Sequence, residues 1–282
     1  MKRTPPTLPP GRNAVQRLRP WLMPALALVA IVALLGRGGF DAEQVRDELA
    51  AGDVDGALRR LATAPRDELP EAVRGLHWWT RADRTRALAE LATRPEPQLL
   101  EAAGLPTFVE PLGLWLDPPA RIVLREPADR ALTVELLNVT LNLTVAALAL
   151  QAGQQELPCE GPFISGTRYA LALHDGPAAD APVVAVADFT LAAADEARAV
   201  TAALAAARSL APPGHPAARL LAANAALECR CTHAALAAFR ELAALPGPEH
   251  DRLRRAAREL AAITLDQQGL DVSARRELEA AP

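Results

Sequence analysis

The chain has 282 residues, of which 50% are hydrophobic, 23% charged and 4% aromatic, and its formal net charge is −4. The apolar fraction excludes a wholly disordered chain, and the near-neutral charge argues against a general nucleic-acid-binding protein. Only one long uninterrupted apolar run is present, which excludes a polytopic membrane protein, and the length predicts about two domains.

The N-terminal region joins a basic head to an apolar run. Residues 1–20 carry five basic residues and no acid, whereas the chain from Gly38 onward carries 24 basic and 34 acidic residues, a formal charge of −10. By the positive-inside rule, this order predicts a single-pass signal anchor over residues 21–37, with the N terminus in the cytoplasm. The head has four prolines in its first ten residues and is expected to be disordered.

A cleaved signal peptide and a buried core helix are the alternatives to an anchor. The anchor and the cleaved signal both export the rest of the chain, so we expect the body on the periplasmic side of a bacterial inner membrane. The lipid bilayer is then an expected partner of residues 21–37.

Two similar units follow the apolar run. EQVRDELAAGDVDGALRRLATAP (residues 43–65) and EAVRGLHWWTRADRTRALAELATRP (residues 71–95) open and close alike, with Ala57 aligned to Ala87. Apolar residues at helical spacing predict a helix, a short turn and a second helix in each unit. The units resemble tetratricopeptide repeats, which combine small packing residues, later aromatics and a closing proline. The resemblance implies that Ala57 and Ala87 pack at helix crossings.

The middle of the chain changes from helical periodicity to alternation. Between about residues 112 and 191, apolar residues recur at every second position, separated by Pro- and Gly-containing turns. This predicts about six or seven strands in a small antiparallel β-sandwich. The segment FISGTRYALAL resembles a fibronectin type III turn. The resemblance implies that Tyr169, the only tyrosine, bonds through its hydroxyl to nearby backbone, and Trp115 is a candidate core residue.

The C-terminal region returns to helical periodicity. Ala235 and Phe239 give an Ala-x-x-x-aromatic pattern, with Pro246 after it, that resembles a third tetratricopeptide-like unit. The resemblance implies that both residues pack inside that unit. Because such units cannot bury their apolar face alone, we expect them to pack on the middle domain or on a partner.

The predicted fold class is therefore α+β, with an N-terminal transmembrane helix, helical hairpin repeats, a small antiparallel β-sandwich and a C-terminal helical repeat segment. The predicted domains are a basic head (1–20), a signal anchor (21–37), a helical hairpin pair (41–104), a β-sandwich (105–192) and a C-terminal helical domain (193–282).

The three cysteines and a nearby histidine are the candidates for a metal site or a disulfide. Cys229 and His233 are four residues apart and share one helix face, so with Cys231 they form a weak metal-site candidate. A disulfide between Cys159 and Cys229 or Cys231 is the second alternative, and inert buried thiols are the third. No cofactor is predicted.

A short aromatic run is the candidate binding site. His77, Trp78 and Trp79 could form an exposed aromatic platform, and the alternative is that they pack in the core of a repeat helix.

The function predicted from these modules is a non-catalytic, membrane-anchored scaffold or adaptor that binds protein partners, without a nucleic-acid or small-molecule ligand. The alternatives are an envelope sensor that transmits a periplasmic signal and a periplasmic metal-binding or hydrolytic protein.

Overall fold

The structure is a computed structural model that describes residues 40–94, 108–176 and 181–279. The chain divides into two units, Met1–Asp41 and Ala42–Pro282, and every described helix and strand belongs to the second. The predicted basic head (1–20) and signal anchor (21–37) lie outside the described residues.

The second unit begins with helices, continues with strands and ends with helices. Its helices are α1 (Ala42–Ala50), α2 (Val54–Thr63), α3 (Arg81–Thr93), α4 (Ala194–Ser209), α5 (Ala217–Glu228), α6 (Thr232–Ala243), α7 (Asp251–Gln267) and α8 (Asp271–Glu279). Its strands are β1 (Phe108–Glu110), β2 (Gly113–Trp115), β3 (Arg121–Leu124), β4 (Leu132–Asn138), β5 (Leu143–Leu150), β6 (Glu156–Pro158), β7 (Thr167–His174) and β8 (Val183–Leu191).

The first hairpin forms as the sequence predicts. Asp53 caps α2, since its side chain accepts a hydrogen bond from the N–H of Gly56 at 3.2 Å. The Asp53 carboxylate lies close over Gly56, where an added Cβ would be 2.3 Å from its nearer oxygen, so a larger residue would require this side chain to shift. Ala57 is fully buried on the face of α2 that also buries Leu58, and α2 packs against α1.

The second hairpin differs from the prediction. Its first half holds only the short 3₁₀ turn Glu71–Val73, and the backbone from Gly75 to Thr80 is not helical. Pro70 and Gly75 bracket a stretch too short to sustain a helix in water. Helix α3 then begins at a capping box formed by Thr80 and Asp83. Ala87, on α3, is only half-buried.

The helices that follow the strands pack as consecutive neighbours. Contacts join α4 to α5, α5 to α6, α6 to α7 and α7 to α8, and α3 packs against α7. Ala235 and Phe239 are both fully buried on α6. The N-terminal and C-terminal helices, predicted as separate domains, therefore contact each other within one unit.

The strands form two sheets. The three-stranded sheet has the order β1-β3-β6, and the five-stranded sheet has the order β2-β8-β7-β4-β5. All pairs are antiparallel except β2 with β8, which is parallel, so the sandwich is mixed rather than antiparallel as predicted. A parallel pair of three residues leaves no separate pattern in a sequence.

Tyr169 lies at the centre of the sandwich core. It is fully buried, stacks on Phe189 with ring centroids 5.2 Å apart, and contacts Phe163 edge to face. Its hydroxyl accepts a hydrogen bond from the backbone N–H of Ile164 at 2.7 Å, which is the local bond that the sequence predicted. The buried hydroxyl is thereby paired within the turn that precedes β7.

The predicted fold class is corrected in its transmembrane helix, which is absent from the residues that the structure describes. Within residues 40–94, 108–176 and 181–279, no helix is long and apolar enough to cross a membrane. The longest, α7, has 17 residues, of which seven are charged, and charge is expensive inside a bilayer. The described chain is an α+β protein with eight helices and two sheets.

Candidate protein-binding site

The predicted aromatic platform lies between the 3₁₀ turn Glu71–Val73 and α3. Trp78 is 1% exposed and belongs to the core. The Trp79 indole N–H donates to Glu228 at 2.8 Å, and its ring meets the half-exposed His77 ring edge to face at 5.1 Å. Trp78 and Trp79 are therefore occupied by packing and bonding within the chain.

Asn224 of α5 fixes this segment from the opposite side. Its side chain is completely buried, accepts a hydrogen bond from the backbone N–H of Trp79 at 3.3 Å, and donates to the carbonyl of His77 at 2.8 Å. One amide thus pairs two backbone groups of this non-helical segment, the Trp79 N–H and the His77 carbonyl.

A buried arginine, which the sequence analysis missed, joins three helices. Arg84 of α3 is 2% exposed and donates to Asp55 of α2 and to Glu259 of α7, each at 2.6 Å. A third bond, of 2.8 Å, goes to the carbonyl of Trp79. Nothing in the local pattern of α3 marks this arginine, because its partners lie 29 and 175 residues away.

The three cysteines are free thiols. Burial raises the pKa of Cys231 to about 12 and that of Cys159 to about 11, and it also raises the pKa of Cys229. These groups remain protonated at neutral pH and are weak nucleophiles and metal ligands. In the part of the chain that the structure describes, no three His, Cys, Asp or Glu side chains are grouped to hold a metal ion.

His233 connects the helices to the sheet instead of lying in a metal cluster. Its ring stacks on Trp115 with centroids 3.7 Å apart and planes 5° from parallel. The Trp115 indole N–H donates to the carbonyl of Leu112 at 3.0 Å. Burial lowers the pKa of His233, and the negative charge of Glu110 opposes this in part. The folded state therefore favours a neutral His233 ring in its stacking contact with Trp115.

The turn between α5 and α6 docks directly on β2. The N–H of Leu114 donates to the carbonyl of Arg230 at 2.9 Å. Gly113 has a φ of +74°, and a Cβ there would lie 2.8 Å from that carbonyl and 2.8 Å from the Thr232 hydroxyl. Gln268, at the end of α7, donates to the same hydroxyl at 2.6 Å. Only glycine at position 113 permits this approach.

An open cleft of about 550 Å³ lies beside this junction. It is lined by β8, by residues of the segment from β1 to β2, and by the ends of α5 and α7 and the start of α6. The lining residues are Phe108, Leu112, Gly113, Val184, Ala185, Val186, Ala187, Asp188, Thr190, Leu227, Arg230, Thr232, Gln267, Gln268 and Leu270. Such a volume is typical of sites that bind ligands or short segments of chain.

Strand β8 is only partly covered on the side of the cleft. The three residues of β2 pair with Phe189, Thr190 and Leu191, and within the described residues no strand pairs with the remainder of that edge. Val186 lies on this uncovered stretch and is 68% exposed. Uncovered strand edges carry unpaired backbone donors and acceptors that can pair with another chain.

No known protein family matches the chain, and none of the curated proteins compared with it is similar.

Proposed function

We propose that this protein is a non-catalytic adaptor that binds a segment of a partner protein in the cleft between β8 and the helix ends. The observation that carries the proposal is the uncovered edge of β8 facing a cleft of about 550 Å³. Apolar side chains and backbone polar groups lie together there, as they do in sites that take up peptides.

The placement of the reactive groups supports a binding role. The thiols of Cys159 and Cys231 are buried with raised pKa values, and His233 is stacked on Trp115. The aromatic residues that could have formed a separate platform are held by α5, since Asn224 and Glu228 bond to the segment that contains them. The cleft at β8 is thus the better-supported binding surface.

The proposal is tested with a random peptide library selected on the full chain. Gln267 is exposed on the helix side of the cleft, so Gln267→Trp fills the cleft without removing a core residue. We expect selected peptides to bind this variant at least about tenfold more weakly than the wild type, as for loss of a central contact.

Gln151→Trp is the matched control. Gln151 is equally an exposed glutamine, but it lies in the turn after β5 and outside the cleft lining. Peptides should bind this variant as they bind the wild type. If no peptide is selected, or if the two variants weaken binding equally, the cleft is not the binding site.

A further inference from the structure

Another open groove lies between α2 and α3, which both pack against α7. This α2–α3 groove has a volume of about 860 Å³, and none of its lining residues belongs to the cleft at β8. Along α3 the lining runs from Arg81 to Ala89, which is about 12 Å or about two helical turns. The uncharged part of the lining consists of small residues, namely Gly56, Thr80, Ala82, Thr85 and Ala89.

The acidic residues of this lining already have partners within the chain. Asp55 accepts a hydrogen bond from the buried Arg84 at 2.6 Å. Asp53 accepts a hydrogen bond from the N–H of Gly56 and lies 3.7 Å from the guanidinium of Arg252. The structure places no other acidic residue in the lining, for the part of the chain that it describes. The negative charge of the groove is therefore balanced from within the chain.

Three arginines at the same place have no such partner. A smaller cavity of about 270 Å³ continues the groove, since the two share Asp53, Asp55 and Arg81, and Arg255 of α7 also lines it. Within residues 40–94, 108–176 and 181–279, no carboxylate pairs with the guanidinium of Arg59, Arg81 or Arg255. All three side chains are exposed. This arginine cluster, Arg59, Arg81 and Arg255, gives the groove a surplus of positive charge that an anion can neutralise.

The place of Arg81 is not explained by the stability of its helix. Arg81 is the first residue of α3. The free N–H groups at a helix N terminus carry partial positive charge, so a basic side chain there is unfavourable and an acidic one, such as Asp83 of the capping box, is favourable. The positive charge of Arg81 therefore does not stabilise α3.

We infer that the α2–α3 groove binds a short acidic segment of a partner protein, whose carboxylates pair with the arginine cluster. Arginine is suited to this role because its planar guanidinium can donate two parallel hydrogen bonds to one carboxylate. The small residues of the lining let the backbone of the segment approach α2 and α3 closely. The groove is a second docking surface for the proposed adaptor and does not depend on the cleft at β8.

Charge complementarity distinguishes this occupant from the others. The chain from Gly38 onward carries a formal charge of −10, so a long polyanion such as a nucleic acid would be repelled beyond the groove. Residues 1–20 carry five basic residues and no acid, and so have the wrong sign to fill it. In a two-fold symmetric dimer that used this groove, each arginine cluster would face its own copy, and like charges would meet.

The test titrates the full chain with a peptide of about 12 residues that contains only glutamate and alanine, long enough to extend beyond both ends of the groove. A second peptide, with glutamine in place of every glutamate, is the control. We expect the glutamate peptide to bind at low ionic strength and to bind at least about fivefold more weakly in about 0.5 M salt, because salt screens exposed charges. The glutamine peptide should not bind at the same concentrations.

Two double variants with the same change in net charge locate the binding. Arg59→Gln with Arg81→Gln removes two members of the arginine cluster, and we expect this variant to bind the glutamate peptide at least about fivefold more weakly than the wild type. Arg198→Gln with Arg208→Gln is the matched control, since both residues are exposed on α4 and lie outside the groove lining. It should weaken binding by less than about twofold. Thermal unfolding of the variants confirms that both are folded.

Four results would overturn the inference. They are no binding of the glutamate peptide, equal weakening by the two double variants, tighter binding of a single-stranded oligonucleotide that the Arg59 and Arg81 substitutions abolish, and self-association of the free chain that the same substitutions abolish. The third would make the groove a nucleic-acid site, and the fourth would place a second copy of the chain in it. None of them bears on the cleft at β8, whose test uses different peptides and Gln267→Trp.

Discussion

Arg84 holds α2, α3 and α7 together from a nearly solvent-free position. Its guanidinium bonds to Asp55, Glu259 and the carbonyl of Trp79, so its removal leaves two carboxylates without their cation. We expect Arg84→Met to lower the free energy of unfolding by about 3 kcal/mol, as for a broken buried ion pair. Urea denaturation of the full chain measures this loss.

Arg86 provides the control for that prediction, because it lies on the same helix and pairs with Asp83 at 3.0 Å but is largely exposed. Arg86→Met should change the free energy of unfolding by less than about 1 kcal/mol. Equal losses in the two variants would contradict the structural role given to Arg84.

His233 makes the contact between sheet and helices sensitive to acid. Burial lowers its pKa below the ordinary 6.5, so the folded state favours the neutral ring. The stability that this group contributes is present above pH 6.5 and is lost as the pH falls through the folded-state pKa. We expect His233→Phe, which keeps an aromatic ring against Trp115, to reduce the loss of stability between about pH 7 and about pH 5.

The measurement is the difference in free energy of unfolding between wild type and His233→Phe across that pH range. The difference should shift in favour of the variant as the pH falls. A difference that stays constant with pH would show that His233 has the same proton affinity in the folded and unfolded chains.

At the scale of elements, the docking of the α5–α6 turn on β2 depends on one glycine. An alanine at position 113 would combine a positive φ with 2.8 Å contacts to the Arg230 carbonyl and the Thr232 hydroxyl. We expect Gly113→Ala to destabilise the protein by about 2 to 4 kcal/mol, from conformational strain and overpacking together. Thermal unfolding measures the effect.

Gly153 separates the two contributions to that loss. It also has a positive φ, of +84°, but an added Cβ would meet nothing within 4 Å. Gly153→Ala should therefore cost only the conformational part, about 1 kcal/mol. If the two alanine variants are equally destabilised, the close approach at Gly113 contributes nothing.

The sequence predicts elements well where their pattern is local. The apolar spacing of α2, the alternation of the strands and the Tyr169 hydroxyl bond all depend on residues a few positions apart. The predicted helix over the start of the second unit does not form, and two backbone groups of that segment, the Trp79 N–H and the His77 carbonyl, bond to Asn224, about 150 residues away. Periodicity within the segment contains no information about that partner.

At the scale of the whole molecule, the site was not visible in the sequence. The cleft brings β8 together with the ends of α5 and α7. None of these segments, taken alone, has a sequence pattern that indicates a binding site. The residues predicted to form a binding site, His77, Trp78 and Trp79, belong to a segment that bonds to α5 and buries Trp78 in the core. Which strand edge stays uncovered depends on sheet order and on the shortness of β2, both of which are long-range properties.

Hydrogen–deuterium exchange of the full chain, with and without a selected peptide, tests the adaptor proposal most directly. We predict that the peptide slows exchange in β8 around Val186 and at the adjoining ends of α5 and α7, while exchange in β5 and around Trp78 stays unchanged. A peptide that binds tightly but protects a different surface, and leaves the amides of β8 exchanging as before, would contradict the account.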